Sequence, residues 1–194
     1  MKSPPTAGVL ALQGSFAEHI AILEELGYPA RPIRLPEQLD DIDALIIPGG
    51  ESTTIGKLAV RYGLIEPIRR HAAAGLPIWG TCAGLIFLAR DLGNSEQPRL
   101  DLMDITAARN AFGSQIQSFE ADLDIPVLGD PPFHGVFIRA PIISATGDGV
   151  EILARLASGG VVAARQGSLL ATAFHPELTG DSRLHDHFMA RMKR

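Results

Sequence analysis

Short apolar runs alternate with segments of helical period through the first half of the chain, and few folds accommodate that order. "GVLAL" (8–12) is too short for a helix and has the character of a strand buried on both faces. "AEHIAILEELG" (17–27) follows, with Ile20, Leu23 and Leu26 on one helical face and Gly27 as its stop. "ARPIRL" (30–35) predicts a second strand, at a sheet edge because Pro32 has no N–H to give a ladder. "DALIIPGG" (43–50) predicts a third, ending in a glycine turn. Residues 53–75 predict two short helices broken near Gly63, "LPIWG" (76–80) a further strand and "AGLIFLARDLG" (83–93) the helix after it. This repetition predicts a three-layer α/β fold, a mostly parallel central sheet flanked by helices on both faces.

From about residue 91 to 148 the pattern changes. "FEADLDIPVLG" (119–129) and "FHGVFIRAPII" (133–143) predict additional antiparallel strands, as hairpins or edges. "GVVAARQGSLLATAFHPE" (160–177) predicts two strands joined by a turn at 166–168, and 180–194 a closing helix capped by Asp181 or Ser182. A length of 194 residues with 46% apolar content suits one domain, taken as 1–194, with a core that needs no staples. A single cysteine cannot form an internal disulfide, which favours a reduced, cytoplasmic setting. A net charge of −5 without a basic run argues against nucleic acid as a partner. The polar start "MKSPPTAG" is not a signal peptide, and no apolar stretch is long enough to span a membrane.

That single cysteine lies in "GTCAG" (80–84), between a predicted strand and a predicted helix. The pattern G-x-C-x-G is the thiol counterpart of the nucleophile elbow. Such a corner projects the side chain at the carboxyl end of the sheet, where ligands bind in folds of this kind. The N-terminus of the following helix favours the thiolate, and the Ala83 N–H points to where an oxyanion would form. The alternative is a structural cysteine beside a tight turn; the strand–elbow–helix context favours a nucleophile at Cys82.

A thiol nucleophile needs a base, and the base needs an orienting group. His19, His71, His185 and His187 fall on helices with ordinary surface settings, and His134 lies in a loop with no partner in sequence. His175 differs: in "AFHPEL" it ends an apolar run, Pro176 keeps it extended, and Glu177 stands two residues on, on the same side of an extended chain. "IIPGGESTT" (46–54) adds a glycine turn whose N–H groups can complete an oxyanion hole, with Glu51 and Ser52 at the rim. A phosphate loop or a plain turn are the alternatives for that stretch; the Lys-Ser/Thr ending of a phosphate loop is absent.

Together, "GVLALQGSFAEH", "LIIPGGESTTI", "GTCAGLI", "RNAFGSQ", "SFEADL", "FIRAP" and "FHPELT" resemble the class I (triad) glutamine amidotransferases, and within them the glutaminase subunits of pyridoxal 5′-phosphate synthase. The resemblance spans 8–179 and implies a flavodoxin-like amidotransferase fold. It implies Cys82 as nucleophile, His175 as general base then acid, and Glu177 as the orienting carboxylate. It implies an oxyanion hole at Gly50 and Ala83, and glutamine held by Gly50, Glu51, Ser52, Arg109, Ile138 and Arg139. A guanidinium suits the substrate carboxylate and Glu51 its ammonium; which arginine makes the contact stays open, and Arg139 could instead anchor a loop. The departures are Ser15-Phe16-Ala17, where an acidic and a basic residue are commoner, and Trp79, where Phe or Tyr is; neither is expected to touch the triad.

The implied reaction is hydrolysis of glutamine to glutamate and ammonia, with no metal or organic cofactor. The implied partner is a synthase subunit, in a hetero-oligomer, that takes the ammonia for pyridoxal 5′-phosphate (vitamin B6) synthesis. The rivals are the glutaminase of another pathway, which "GGESTT" and "RNAFG" disfavour, a cysteine hydrolase of esters or small amides, which would not need the carboxylate-gripping arginines, and a non-catalytic binding module, which an intact triad disfavours.

Overall fold

The computed structural model describes residues 3–109 and 118–192. In chain order the elements are β1 (Ala7–Leu10), α1 (Phe16–Glu25), β2 (Ala30–Ile33), β3 (Ala44–Ile47), α2 (Ser52–Arg61), α3 (Ile65–Ala73), β4 (Ile78–Thr81), α4 (Ala83–Leu88), β5 (Ala89–Asp91), β6 (Met103–Ala108), β7 (Ser118–Leu123), β8 (Phe133–Ile138), β9 (Ile142–Thr146), β10 (Glu151–Arg155), β11 (Val161–Gln166), β12 (Leu169–Thr172) and α5 (Arg183–Ala190). Short 3-10 turns occupy Pro36–Asp41 and Pro176–Leu178.

The continuous apolar runs become the parallel half of the sheet, in the order β2-β1-β3-β4-β12. Every residue of β1, β3 and β4 is buried, as a strand covered on both faces requires. β2, which carries Pro32, takes the edge beside β1. Beyond β12 the sheet continues through β11, β9, β6 and β5, with β10 beside β11; only β5 and β6 pair in parallel there. β7 and β8 form a separate antiparallel pair.

Adjacent residues of β4 show the two covered faces. The Trp79 ring meets His19 of α1 and His185 and Phe188 of α5. Gly80 faces the other way: a Cβ there would lie 2.4 Å from the Gly84 carbonyl oxygen and 2.8 Å from Leu88, both in α4. The β7–β8 pair is pinned to the main sheet by rings. Phe119 stacks on Phe137 at 4.5 Å, and Phe133 and Phe137 reach Phe174 at 5.5 and 5.6 Å. Phe133, Phe137 and Phe174 are fully buried, each worth ~1.5–3 kcal/mol of transfer free energy. Phe174 precedes His175, so this cluster also fixes where the base stands.

Three details depart from the sequence expectations. The helix expected over 83–93 stops at Leu88, because Ala89 turns extended and its strand β5 pairs with β6. The strand expected over 133–143 is two, β8 and β9, parted where Arg139 takes a left-handed backbone (φ 45°) ahead of Pro141. β6 and β10 were not anticipated; Met103, Ile105 and Ala107 alternate with more exposed neighbours, a period-two signal spread over only six residues. In α5, Ser182 holds the cap position but Asp181 does the capping, its Oδ1 accepting from the Arg183 N–H at 3.0 Å.

Candidate active site

The corner between β4 and α4 is as tight as the glycines suggest. Cys82 has φ 49° and ψ −103°, a conformation that costs a non-glycine residue ~1–3 kcal/mol. The surroundings impose it: the Cys82 N–H donates to the Thr172 carbonyl at 2.8 Å, and its own carbonyl accepts from Leu85 N–H at 3.1 Å. Gly84 explains the small residue after the thiol, since a Cβ there would stand 2.1 Å from the Ile47 carbonyl oxygen. Cys82 Sγ lies 3.8 Å from the Ile138 carbonyl oxygen, at the end of β8.

His175 follows β12 and is tied to β8 by its N–H, which donates to Val136 at 2.8 Å. Its Nδ1 is 2.7 Å from Glu177 Oε1. The pairing matches expectation, but the backbone route differs: Glu177 sits inside the 3-10 turn Pro176–Leu178, not in extended chain. Gly49 packs directly on both groups, with a notional Cβ 2.4 Å from His175 Cε1 and 3.3 Å from Cys82 Cβ. The Gly49 carbonyl accepts from Ser15 N–H at 3.1 Å, so the Gly50 N–H of the same trans peptide faces away from Ser15.

The electrostatics follow from burial and these contacts. Burial disfavours charge on His175, but hydrogen bonding to Cys82 and Glu177, and their charge, outweigh it and push the imidazole up to about 10. Burial likewise disfavours the Glu177 carboxylate, yet the His175 hydrogen bond and nearby imidazoles hold it down to about 2. The thiolate is the reactive form of a cysteine.

Cys82, Ala83, His175, Gly50, Glu51, Ser52, Arg109, Ile138 and Arg139 all line one cavity of about 700 Å³, with Glu177 behind His175. Arg109 and Glu51 form an ion pair at its rim (3.2 Å), and Arg109 also donates to Gln97 Oε1 at 3.1 Å. Glu51 caps α2 by accepting from Thr53 N–H at 3.2 Å, while Ser52 Oγ reaches Gln97 Oε1 at 3.3 Å. The motif that begins at Arg109 continues into residues 110–115, which lie outside the described residues. His134 is exposed on β8 between Glu120 and Asp122, apart from the cavity.

Sequence reasoning missed four contributors. Gln13 lines the cavity, and its Oε1 accepts from Glu51 N–H at 2.7 Å. Ser15, expected to leave the triad untouched, donates its Oγ to Glu177 Oε1 at 2.5 Å. His19 and His185, expected at the surface, are fully buried behind Glu177, because the helix faces that carry them turn toward each other across Trp79. His19 and His185 stand 166 positions apart, so only their placement could reveal the pair.

The model of the SNO glutamine amidotransferase family matches residues 9–194. A protein of Herpetosiphon aurantiacus named pyridoxal 5′-phosphate synthase subunit PdxT is 62% identical over 187 residues, 95% of this chain and 98% of that one. Its namesake in Pelotomaculum thermopropionicum is 59% identical over 187 residues, 96% and 95% of the two chains. The crystal structure of a glutamine amidotransferase superposes with a TM-score of 0.91 at 52% identity, over 97% of this chain and 99% of the other. PurLQS from Thermotoga maritima shares the fold alone, with a TM-score of 0.73 at 18% identity, over 98% of this chain and 100% of that one. A match along nearly the whole length, at identities above one half, makes this chain a member of the SNO glutamine amidotransferase family.

Proposed function

We propose that this chain, as one amidotransferase domain, hydrolyses glutamine to glutamate and ammonia through Cys82, His175 and Glu177. We further propose that it serves as the glutaminase subunit of a pyridoxal 5′-phosphate synthase, in a hetero-oligomer whose synthase subunit consumes the ammonia. The observation that carries the reading is the constellation itself: a strained thiol, an imidazole it can pair with, and a buried carboxylate 2.7 Å from that imidazole, at one cavity wall.

The steps follow from those positions. The Cys82 sulfur adds to the side-chain amide carbon, and the carbonyl oxygen becomes an oxyanion facing the Gly50 and Ala83 N–H groups. Ala83 is the first residue of α4, so its N–H has no partner within the helix. The C–N bond breaks as His175 gives its proton to the leaving nitrogen, releasing ammonia and leaving a glutamyl thioester. His175, now neutral, takes a proton from water; the hydroxide adds to the thioester and the sulfur departs as thiolate. Glu177 stays ionised throughout and holds His175 Nδ1–H, so that the other ring nitrogen works on the reacting atoms. Arg109 and Glu51 form opposite charges at the rim that a zwitterionic amino acid can bridge, its carboxylate on a guanidinium and its ammonium on Glu51, with Arg139 and Ser52 alongside. No helix among the described residues is long and apolar enough to cross a membrane.

The test mixes the purified chain with a synthase subunit of the family, a pentose phosphate and a triose phosphate. Cys82→Ala should stop glutamate release and glutamine-dependent pyridoxal 5′-phosphate formation, while an ammonium salt restores the second. Substantial glutamate release by Cys82→Ala would refute the nucleophile, and glutamine-independent synthesis at the full rate would refute the partnership.

A further inference from the structure

Two histidines that the mechanism above leaves idle stand in line behind its carboxylate. His19 on α1 and His185 on α5 have no exposed surface. His19 Nδ1 is 2.9 Å from His185 Nε2, and His19 Nε2 is 3.4 Å from both Glu177 Oε2 and Thr81 Oγ1. Glu177 uses its two oxygens differently. Oε1 takes hydrogen bonds from His175 and Ser15, whereas buried Oε2 accepts no well-aligned hydrogen bond among the described residues and has His19 Nε2 at 3.4 Å. Trp79 holds both rings edge-on, with centroids 5.9 and 4.9 Å away, and is itself anchored by Nε1–H donating to Thr172 Oγ1 at 3.0 Å.

The tautomers follow from elementary electrostatics. The charged groups facing this pair are Glu177 and His175 across α1 and, on α1 itself, Glu18; on α5, Asp186 is engaged by the Tyr28 hydroxyl. Burial keeps both rings neutral, so each carries one N–H. If His19 donated from Nδ1, its Nε2 lone pair would face a carboxylate oxygen at 3.4 Å, with the Thr81 hydroxyl at the same distance to answer it, and the buried His185 Nδ1–H would have no acceptor. If His185 donates from Nε2, His19 carries its proton on Nε2, within 3.4 Å of both Glu177 Oε2 and Thr81 Oγ1, and the His185 atom left over, Nδ1, is a lone pair. The second arrangement removes the lone-pair–carboxylate repulsion and leaves no buried N–H without an acceptor.

We infer that His19 is a positioning residue for the glutamine-hydrolysing site, set in its working tautomer by His185. Its N–H holds the second oxygen of Glu177, so that the first stays on His175 Nδ1 and the other nitrogen of His175 stays free for Cys82. The inference rests on the triad reading given under the proposed function.

The experiment is steady-state glutamine hydrolysis with the synthase subunit present, for His19→Leu, His19→Gln and His19→Asn, with His19→Leu repeated in a Glu177→Ala background. Loss of one hydrogen bond to a charged group should lower kcat roughly tenfold in His19→Leu, with KM for glutamine within about twofold. The Gln amide reaches the place of imidazole Nε2 and should restore most of kcat; the Asn amide stops near Nδ1 and should not. In the Glu177→Ala background His19→Leu should cost nothing further. A packing role alone would make Gln and Asn equivalent and leave the loss unchanged without Glu177, and either result overturns the inference. Should His19→Leu fail to fold, the Gln–Asn comparison decides. A slow Glu177→Ala enzyme beside a fully active His19→Leu would overturn this inference alone, whereas full activity of Glu177→Ala would overturn the triad reading with it.

Discussion

Mild acid should destabilise this protein through buried histidines before its carboxylates respond. Burial lowers His19 to about 4, against the pull of Glu177, and lowers His185 to about 3, with neighbouring His19 adding to the effect. The unfolded chain takes up these protons near the ordinary histidine value of 6.5, while the folded state refuses them until far lower pH. The unfolded state therefore binds more protons, and stability falls as pH falls below about 6.5. Each group contributes a slope near 1.4 kcal/mol per pH unit, so the pair removes about 4 kcal/mol between about pH 7 and pH 5. That is a large share of a typical ~5–15 kcal/mol total. His187 is lowered too, mainly by burial, and leans the same way. His175, raised to about 10, contributes stability that is fully present below 6.5 and lost only on the alkaline side, and Glu177, held at about 2, contributes losses only below about 4.5. Urea titrations at several pH values, followed by the fluorescence of Trp79, the sole tryptophan and fully buried, measure the slope. His185→Leu should flatten it by about one proton, leaving about 2 kcal/mol over the same range. A flat profile for the parent, or the same slope in His185→Leu, would refute the reasoning.

His175→Asn should stop turnover in the glutaminase assay while calorimetry still detects glutamine binding, and Glu177→Gln should slow turnover less; the losses should not add, because the three groups act as a unit. Arg109→Ala and Arg139→Ala, titrated with glutamine on a Cys82→Ala background, should each lose ~1.5–3 kcal/mol if they grip the substrate carboxylate, and unchanged affinity in both would return them to structural roles. Gly84→Ala sets a methyl against the Ile47 carbonyl, backbone against backbone, and should lower the thermal unfolding midpoint by the equivalent of ~1–3 kcal/mol; a wild-type midpoint would show that α4 shifts freely. Glutamate production should rise when the synthase subunit is added at saturating glutamine, because the Gly49–Gly50 peptide can invert its N–H and carbonyl and a missing oxyanion donor costs ~10²–10³ in rate. Equal rates with and without that subunit would remove the switch.

What the sequence determined by itself is local. An apolar run, a glycine-bracketed cysteine and a helix-period segment specify the elbow at Cys82, because every constraint lies within about a dozen residues of it. His175 and Glu177 were legible for the same reason, being two residues apart, although the turn that joins them was not. The parallel half of the sheet was legible because a strand buried on both faces is apolar at every position, while β6 and β10 were not, since a half-buried strand of five or six residues leaves only a faint alternation. Tertiary structure alone decided the rest. Ser15 reaches Glu177 across 162 positions, and His19 meets His185 across 166. A histidine on an amphipathic helix has the same sequence signature whether its face meets water or another helix. Only the packing of α1 and α5 over Trp79 made those two rings interior, and burial, against the pull of the Glu177 carboxylate, is what keeps them neutral in their place behind the site.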